Sequence, residues 1–220
     1  MARKRPIRDL LRKVPGFSVL GKVLVLRYSP RSFLRTSGYF KSVASKRPQR
    51  VDGTPLPWMN YHMIQFLEDR LKKDFRVFEF GSGNSTLFFA PRVANITSVE
   101  VDRQWYEEVS GQMPGNANVM LCDPYDVNRY LAMLGQDNVD YDIVIVDAED
   151  RVACLKASPP HLTSRGVILL DDADKPKYQS GIDYLLEQGF RQLPFEGLKP
   201  GGIRAYRTTV FYRDGNCLNI

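Results

Sequence analysis

Apolar runs alternate with amphipathic segments from residue 51 onward, and this pattern predicts strands and helices in turn. The clearest strand covers residues 141–146, an almost wholly apolar run that is typical of a central parallel strand covered on both faces. The predicted strands are 76–80, 96–101, 119–122, 141–146, 166–170, 190–194 and 208–213. Helices are predicted from Pro57, around 86–90, and over 104–110, 126–134, 152–158 and 182–188. This order predicts a doubly wound α/β sheet with ligands at the carboxyl ends of its strands.

The first 50 residues differ from the rest of the chain in charge. They contain 14 Lys and Arg and a single acid, Asp9, which gives a net charge of +13, whereas residues 51–220 carry −7. We therefore divide the chain into a basic N-terminal extension, 1–50, and one folded domain, 51–220.

Two apolar stretches lie in this extension. Residues 6–14 have the spacing of a short helix, and residues 17–26 form an apolar run that Lys22 interrupts. Ten residues cannot span a bilayer, which needs roughly 20. Three interpretations stay open: the run packs on the domain as a lid, the extension lies on an anionic membrane surface, or it binds nucleic acid. The last is the weakest, because no RNA-binding signature accompanies the charge.

The cysteine and histidine contents exclude several classes of protein. Three widely spaced cysteines, Cys122, Cys154 and Cys217, cannot form a disulfide framework, and they fit a reducing compartment. With only His62 and His161, most histidine-based metal sites are excluded as well. We expect a cytoplasmic protein, located at the inner membrane surface if the basic extension binds lipid.

A glycine turn follows the first predicted strand. Gly81-Ser82-Gly83 would let the backbone approach a ligand closely, and the next helix begins with free N–H groups. Dinucleotide-binding chains have a third glycine three residues further on, where this chain has Thr86. The turn therefore predicts a nucleoside ligand and disfavours a nicotinamide dinucleotide.

Acidic residues recur at the ends of successive strands. Glu79 lies inside the first strand, Glu100 ends the second, Asp123 follows the third and Asp147 follows the fourth. A carboxylate accepts two hydrogen bonds from a ribose diol, and Glu100 has the place in the chain that suits this role. Asp123 is placed to accept a hydrogen bond from an adenine amino group. An acid inside an apolar strand needs a partner, because burying it unpaired is costly.

These segments together resemble the class I S-adenosylmethionine-dependent methyltransferases over roughly residues 55–215. The resemblance rests on E-F-G-S-G-N-S at 79–85, S-V-E-V-D around Glu100 and Y-D-I-V-I-V-D before Asp147. It implies a Rossmann-like, seven-stranded sheet, mostly parallel with an antiparallel last strand. It also implies a cofactor site that holds the amino-acid part of S-adenosylmethionine near the glycine turn. The implied cofactor-binding residues are Glu79, Gly81, Ser82, Gly83, Asn84, Ser85, Glu100, Asp123 and Asp147, with Tyr61 covering the cofactor.

Six acids lie in the two loops after the fourth and fifth strands, and their mutual repulsion calls for a cation. Oxygen ligands without His or Cys suit Mg²⁺ or Ca²⁺. The layout resembles the metal-dependent catechol and caffeoyl-coenzyme A O-methyltransferases, which implies Asp147, Asp171 and Asp172 as metal ligands. Asp172 stands where that group has Asn, and Asp150 where it has Lys. Without a metal, Asp147 or Asp171 is the expected catalytic base.

These features predict methyl transfer to an oxygen of a small-molecule or saccharide acceptor. Two alternatives stay open: a nicotinamide-dependent oxidoreductase, and a cofactor-binding subunit without catalysis. Arg151 and Lys175, next to the acidic loops, are interpreted as solvated side chains, with binding of an anionic acceptor as the alternative.

Overall fold

A computed structural model describes residues 17–220 of the protein. Its seven strands form one sheet in the order β3-β2-β1-β4-β5-β7-β6. Strands β1 to β5 are parallel, and β7 runs antiparallel between β5 and β6. The strands are β1 Arg76–Phe80, β2 Asn95–Glu100, β3 Ala117–Leu121, β4 Tyr141–Val146, β5 Leu162–Leu170, β6 Arg191–Gly197 and β7 Tyr206–Tyr212. The predicted fold is confirmed, including the antiparallel last strand.

Helices cover both faces of this sheet, as its apolar central strands require. In the described part of the chain the α-helices are α1 Phe17–Tyr28, α2 Phe33–Thr36, α3 Tyr39–Ser45, α4 Tyr61–Glu68, α5 Asn84–Phe89, α6 Arg103–Ser110, α7 Val127–Ala132, α8 Arg151–Ala157 and α9 Gln179–Glu187. Strand β4 shows the reason for the two layers. Val144 and Val146 pack into one core and Ile143 and Ile145 into the other, because alternate side chains of a strand point to opposite faces.

The apolar run at 17–26 is helical. In α1, the six apolar side chains from Val19 to Leu26 are 48% to 62% exposed. None of the helices between residues 17 and 220 is long and apolar enough to cross a membrane. The helix predicted at 6–14 lies outside the described residues.

A later part of the basic extension does contact the sheet domain. The Tyr39 hydroxyl donates to the carbonyl of Gly202 at 2.9 Å, and Asn84 Nδ2 donates to the carbonyl of Pro48 at 2.7 Å. Arg50 forms an ion pair with Glu68 of α4. The first two contacts place Tyr39 and Pro48 next to the carboxyl ends of the parallel strands.

Candidate cofactor and acceptor site

The glycine turn after β1 has a backbone conformation that favours glycine. Gly81 has φ +109°, and a Cβ there would lie 2.8 Å from the carbonyl oxygen of Asp147. Gly83 has φ +141°, and a Cβ there would lie 3.1 Å from the ring of Trp105. The glycines are therefore needed for contacts within the protein, before any ligand is considered.

Glu79 supports this turn through hydroxyl groups. Its buried carboxylate accepts hydrogen bonds from Ser85, from Thr86 at 2.6 Å and from Ser98 at 2.8 Å. Burial raises the pKa of Glu79, and the three hydroxyl donors oppose that rise. The partner expected for an acid inside an apolar strand is thus a set of three hydroxyls. Thr86, in the place of the third glycine, also accepts from the Gly83 N–H at 3.1 Å.

Glu100, at the end of β2, faces the same turn. One of its oxygens accepts from the Ser82 hydroxyl at 2.7 Å, and the other accepts from the backbone N–H groups of Val101 and Asp102 at 2.8 and 3.0 Å. Trp105 Nε1 donates to the Ser82 carbonyl at 3.0 Å, which fixes the turn from the side of α6. Three hydrogen bonds therefore hold the Glu100 carboxylate in one orientation.

Asp123 lies beyond β3 and is paired with another side chain. Arg103 Nε donates to its carboxylate at 2.5 Å, and the Arg103 side chain is largely exposed. An adenine amino group at this position would share the carboxylate with an exposed arginine.

A small pocket of about 100 Å³ lies beside the glycine turn. The sheet domain contributes Ser82, Asn84, Ser85, Trp105 and Asp147 to its lining. The remaining lining residues come from the segment before α4 and are Lys46, Arg47, Pro48 and Trp58. Sequence reasoning did not assign these four residues to the site, because nothing in the local pattern shows which strand ends the segment crosses.

A second pocket, of about 300 Å³, adjoins the first one and shares Trp58 and Asp147 with it. Its other lining residues follow β5 and β6 or begin β7, and they are Asp171, Asp172, Lys199, Gly201, Gly202 and Tyr206. Three of the acids predicted at the strand ends therefore lie together. Lys199 was missed, although a lysine within the Gly/Pro-rich loop after β6 was a visible signal.

Asp147 lies where the two pockets meet. Its side chain is 27% exposed and accepts from Arg151 Nη2 at 2.7 Å. Burial, together with the nearby carboxylate of Asp171, raises the pKa of Asp147 to about 8, although Arg151 opposes the shift. Arg151 is itself largely buried and also donates to the backbone carbonyls of Ala148 and Asp171, so its interpretation as a solvated side chain is wrong.

Asp171 and Asp172 share one ammonium group. Lys199 Nζ donates to Asp171 and, at 2.7 Å, to Asp172. Asp171 also accepts from the Thr208 hydroxyl at 2.7 Å, and Asp172 accepts from Lys175 Nζ at 2.6 Å. Burial raises the pKa of Asp171. Burial also acts to raise the pKa of Asp172, but the hydrogen bonds from Lys175 and Lys199 outweigh it and lower this pKa to about 2.

This arrangement does not fit the expected Mg²⁺ site. The carboxylates of Asp147, Asp171 and Asp172 are balanced by the cations of Arg151, Lys175 and Lys199. A divalent ion about 4 Å from one of these cations would meet a repulsion of about 8 kcal/mol, twice that of two unit charges near a protein surface. Within residues 17–220, no group of three or more His, Cys, Asp or Glu side chains could hold a metal ion. The predicted metal ligands are thus bound by lysine and arginine.

Tyr61 lies apart from the other predicted site residues. It lines a third pocket, of about 400 Å³, and its ring meets that of Phe33 edge-on at 5.1 Å. In the described residues its hydroxyl has no hydrogen-bond partner. Trp58, three residues earlier, lines both site pockets and has the covering position that we expected for Tyr61.

Comparisons with known proteins agree with this fold. No protein family and no curated protein matches the sequence. Among solved structures, a Klebsiella pneumoniae protein assigned as an O-methyltransferase aligns with a TM-score of 0.55 at 15% identity, over 89% of this chain and 97% of its own. TomG, an O-methyltransferase of tomaymycin synthesis from Streptomyces achromogenes, solved with S-adenosylmethionine, aligns with a TM-score of 0.53 at 14% identity, over 89% and 96%.

A Staphylococcus aureus protein assigned as a caffeoyl-CoA O-methyltransferase aligns equally well, with a TM-score of 0.53 at 13% identity, over 89% of this chain and 98% of its own. The chain therefore has the fold of the class I S-adenosylmethionine-dependent methyltransferases. At these identities the likeness establishes the fold, and the activity has to be argued from the site.

Proposed function

We propose that this protein is a class I S-adenosylmethionine-dependent methyltransferase that methylates a hydroxyl group of a small molecule. One observation carries the proposal: a pocket at the glycine turn and a second pocket share Asp147 and Trp58 in their linings, and carboxylates line the second pocket. Methyl transfer needs this geometry, because the cofactor's methyl group and the acceptor oxygen have to meet in line.

In this proposal the glycine turn and its surroundings hold the cofactor. Its amino-acid part lies against Ser82, Asn84 and Ser85, where the cations Lys46 and Arg47 also line the pocket and favour a carboxylate. Glu100 accepts a hydrogen bond from the ribose, and Asp123 accepts from the adenine. Gly81 and Gly83 shape the turn, and Glu79 supports it from within the protein.

Asp147 is the residue we propose as the general base. The acceptor hydroxyl gives its proton to the Asp147 carboxylate as its oxygen attacks the methyl carbon. The carbon–sulfur bond breaks, and the sulfonium becomes the neutral thioether of S-adenosylhomocysteine. A base with a pKa of about 8 has a useful fraction of both protonation states near neutral pH. Asp171 is fully buried with both oxygens engaged, so we assign it to positioning Lys199.

The lining of the second pocket, the one that contains Asp147 and Asp172, suits a polar, hydroxylated acceptor such as a saccharide. The carboxylates of Asp147 and Asp172 can accept hydrogen bonds from hydroxyl groups, and the Trp58 side chain, 54% exposed, offers an apolar ring face beside them. Trp58 Nε1 donates to the Pro200 carbonyl at 3.1 Å, which holds the ring at the pocket.

Calorimetry and a transfer assay test this function. We expect S-adenosylmethionine to bind and NAD not to bind, since Thr86 stands in place of the third glycine and is bonded to Glu79. Transfer of a labelled methyl group to a panel of sugars and polyols should depend on Asp147. NAD binding without S-adenosylmethionine binding would show an oxidoreductase. Cofactor binding without turnover on any acceptor would favour a non-catalytic subunit.

We also propose that the basic extension brings the enzyme to an anionic membrane surface. The apolar side chains of α1 are about half exposed, and the first 50 residues carry a net charge of +13. Exposed apolar groups beside many cations suit a negatively charged lipid surface. The full chain should sediment with vesicles containing phosphatidylglycerol and not with phosphatidylcholine alone. The proposal would be refuted if the chain sedimented with neither kind of vesicle, sedimented equally with both, or bound RNA instead.

A further inference from the structure

Lys199 lies at the centre of the acidic cluster, where a divalent cation was expected from the sequence. It is 6% exposed, and its Nζ donates to Asp171 and Asp172 at once. The centroid of the Tyr206 ring lies 4.9 Å from this nitrogen, so an aromatic face adds to its stabilisation. Few lysines are buried to this extent, and those that are need compensation of this kind.

The loop that carries Lys199 is fixed from several sides. The Lys199 carbonyl accepts from the Gly202 N–H at 2.9 Å, and the carbonyl of Leu198 accepts from the Tyr61 N–H at 2.9 Å. Trp58 Nε1 donates to the carbonyl of Pro200 at 3.1 Å. The ammonium is thus held in place by backbone contacts as well as by its two carboxylate partners.

An ammonium group has three N–H donors, and two of those on Lys199 reach Asp171 and Asp172. Lys199 also lines the second pocket, together with Asp147. One donor is therefore left for an oxygen that enters this pocket. A positive charge at this point would bind the acceptor oxygen and stabilise the alkoxide character that it gains while Asp147 removes its proton.

We propose that Lys199 is the built-in cation of this site, which binds the acceptor oxygen in place of a divalent metal. The proposal rests on the proposed methyltransferase function. It makes methyl transfer independent of metal ions and adds Lys199 to the catalytic residues. It also explains why Asp172 stands where the metal-dependent enzymes have Asn: a second carboxylate balances the lysine.

Mn²⁺ binding, followed by electron paramagnetic resonance, tests the proposal without any need for turnover. We expect no Mn²⁺ at this cluster in the wild type, because Lys199 occupies it. The double variant Lys199→Ala/Lys175→Ala removes both ammonium groups that Asp172 binds and leaves the carboxylates of Asp171 and Asp172 facing one space, so we expect this double variant to bind one Mn²⁺. Lys175→Ala is the matched control: it takes a partly exposed cation from the same Asp172 but leaves Lys199, and we expect no Mn²⁺ there.

Turnover supplies the second readout. Wild-type methyl transfer should be unchanged by a chelator and by added Mg²⁺, and Lys199→Ala should reduce kcat at least 100-fold with S-adenosylmethionine affinity changed less than threefold. Lys199→Arg should recover part of the lost rate. Thermal melting shows whether each variant folds, and Lys199→Gln replaces the alanine variant if that one does not.

Three results would overturn the inference: Mn²⁺ at the cluster of the wild type, loss of wild-type activity on chelation, or full turnover of Lys199→Ala. In addition, a folded Lys199→Ala/Lys175→Ala protein that gains no Mn²⁺ would overturn the replacement of a metal by lysine. Failure of the methyltransferase function would show separately, as absent S-adenosylmethionine binding in the wild type.

Discussion

Replacing Glu100 with glutamine tests the assignment of the ribose site. The carboxylate uses three acceptor positions within the protein, for Ser82, Val101 and Asp102. A carboxylate offers about four such positions, so one is left for a ribose hydroxyl. In Glu100→Gln the amide oxygen can keep both backbone N–H donors, and the amide nitrogen can donate to the Ser82 hydroxyl. The substitution therefore preserves the turn and removes the charge.

The magnitude follows from this single remaining position. A hydrogen bond to a charged group contributes about 1.5–3 kcal/mol, whereas a neutral one contributes about 0.5–1.5 kcal/mol. The difference of about 1–2 kcal/mol corresponds to a loss of S-adenosylmethionine affinity of about 5- to 30-fold.

Isothermal titration calorimetry of the purified variant measures this loss. Glu107→Gln is the control, since it makes the same change on an exposed residue of α6, and its dissociation constant should equal that of the wild type. The thermal midpoint of Glu100→Gln should stay within a few degrees of the wild type. An unchanged dissociation constant in a folded Glu100→Gln protein would refute the reasoning and place the ribose elsewhere.

Four further predictions concern the turn, the acidic cluster and its titration. Gly81→Ala should destabilise the fold by about 1–3 kcal/mol, as measured by urea unfolding, because it forces φ +109° on a residue with a Cβ 2.8 Å from a carbonyl; wild-type stability would contradict this. Asp171→Asn should lower kcat strongly by releasing Lys199 while cofactor affinity holds, and normal turnover would contradict that role. The rate should rise about tenfold per pH unit toward the pKa of Asp147, about 8, and then level off, and Asp147→Asn should remove this profile. Between pH 3.8 and about 8, Asp147 holds a proton in the folded state that it loses in the unfolded state, so its contribution to stability should fall as pH rises. Urea unfolding at several pH values measures this fall.

The sequence alone determined the sheet and most of the acids at its edge. Strand β4 was predicted with its observed bounds, because a strand covered on both faces has to be apolar throughout. Since the carboxyl ends of parallel strands meet at one edge, the positions of Asp147 and Asp171 along the chain were enough to bring them together.

Only the tertiary structure shows which cation neutralises those acids and which aromatic side chain lies over the site. Lys199 follows Asp171 by 28 residues and reaches it because β7 inserts between β5 and β6, a pairing that no local pattern records. Trp58 and Tyr61 stand three residues apart near the start of α4 and line different pockets, which depends on the neighbours of each side chain. Periodicity depends on local backbone geometry, whereas the partner of a buried charge is set by segments distant in sequence that pack against it.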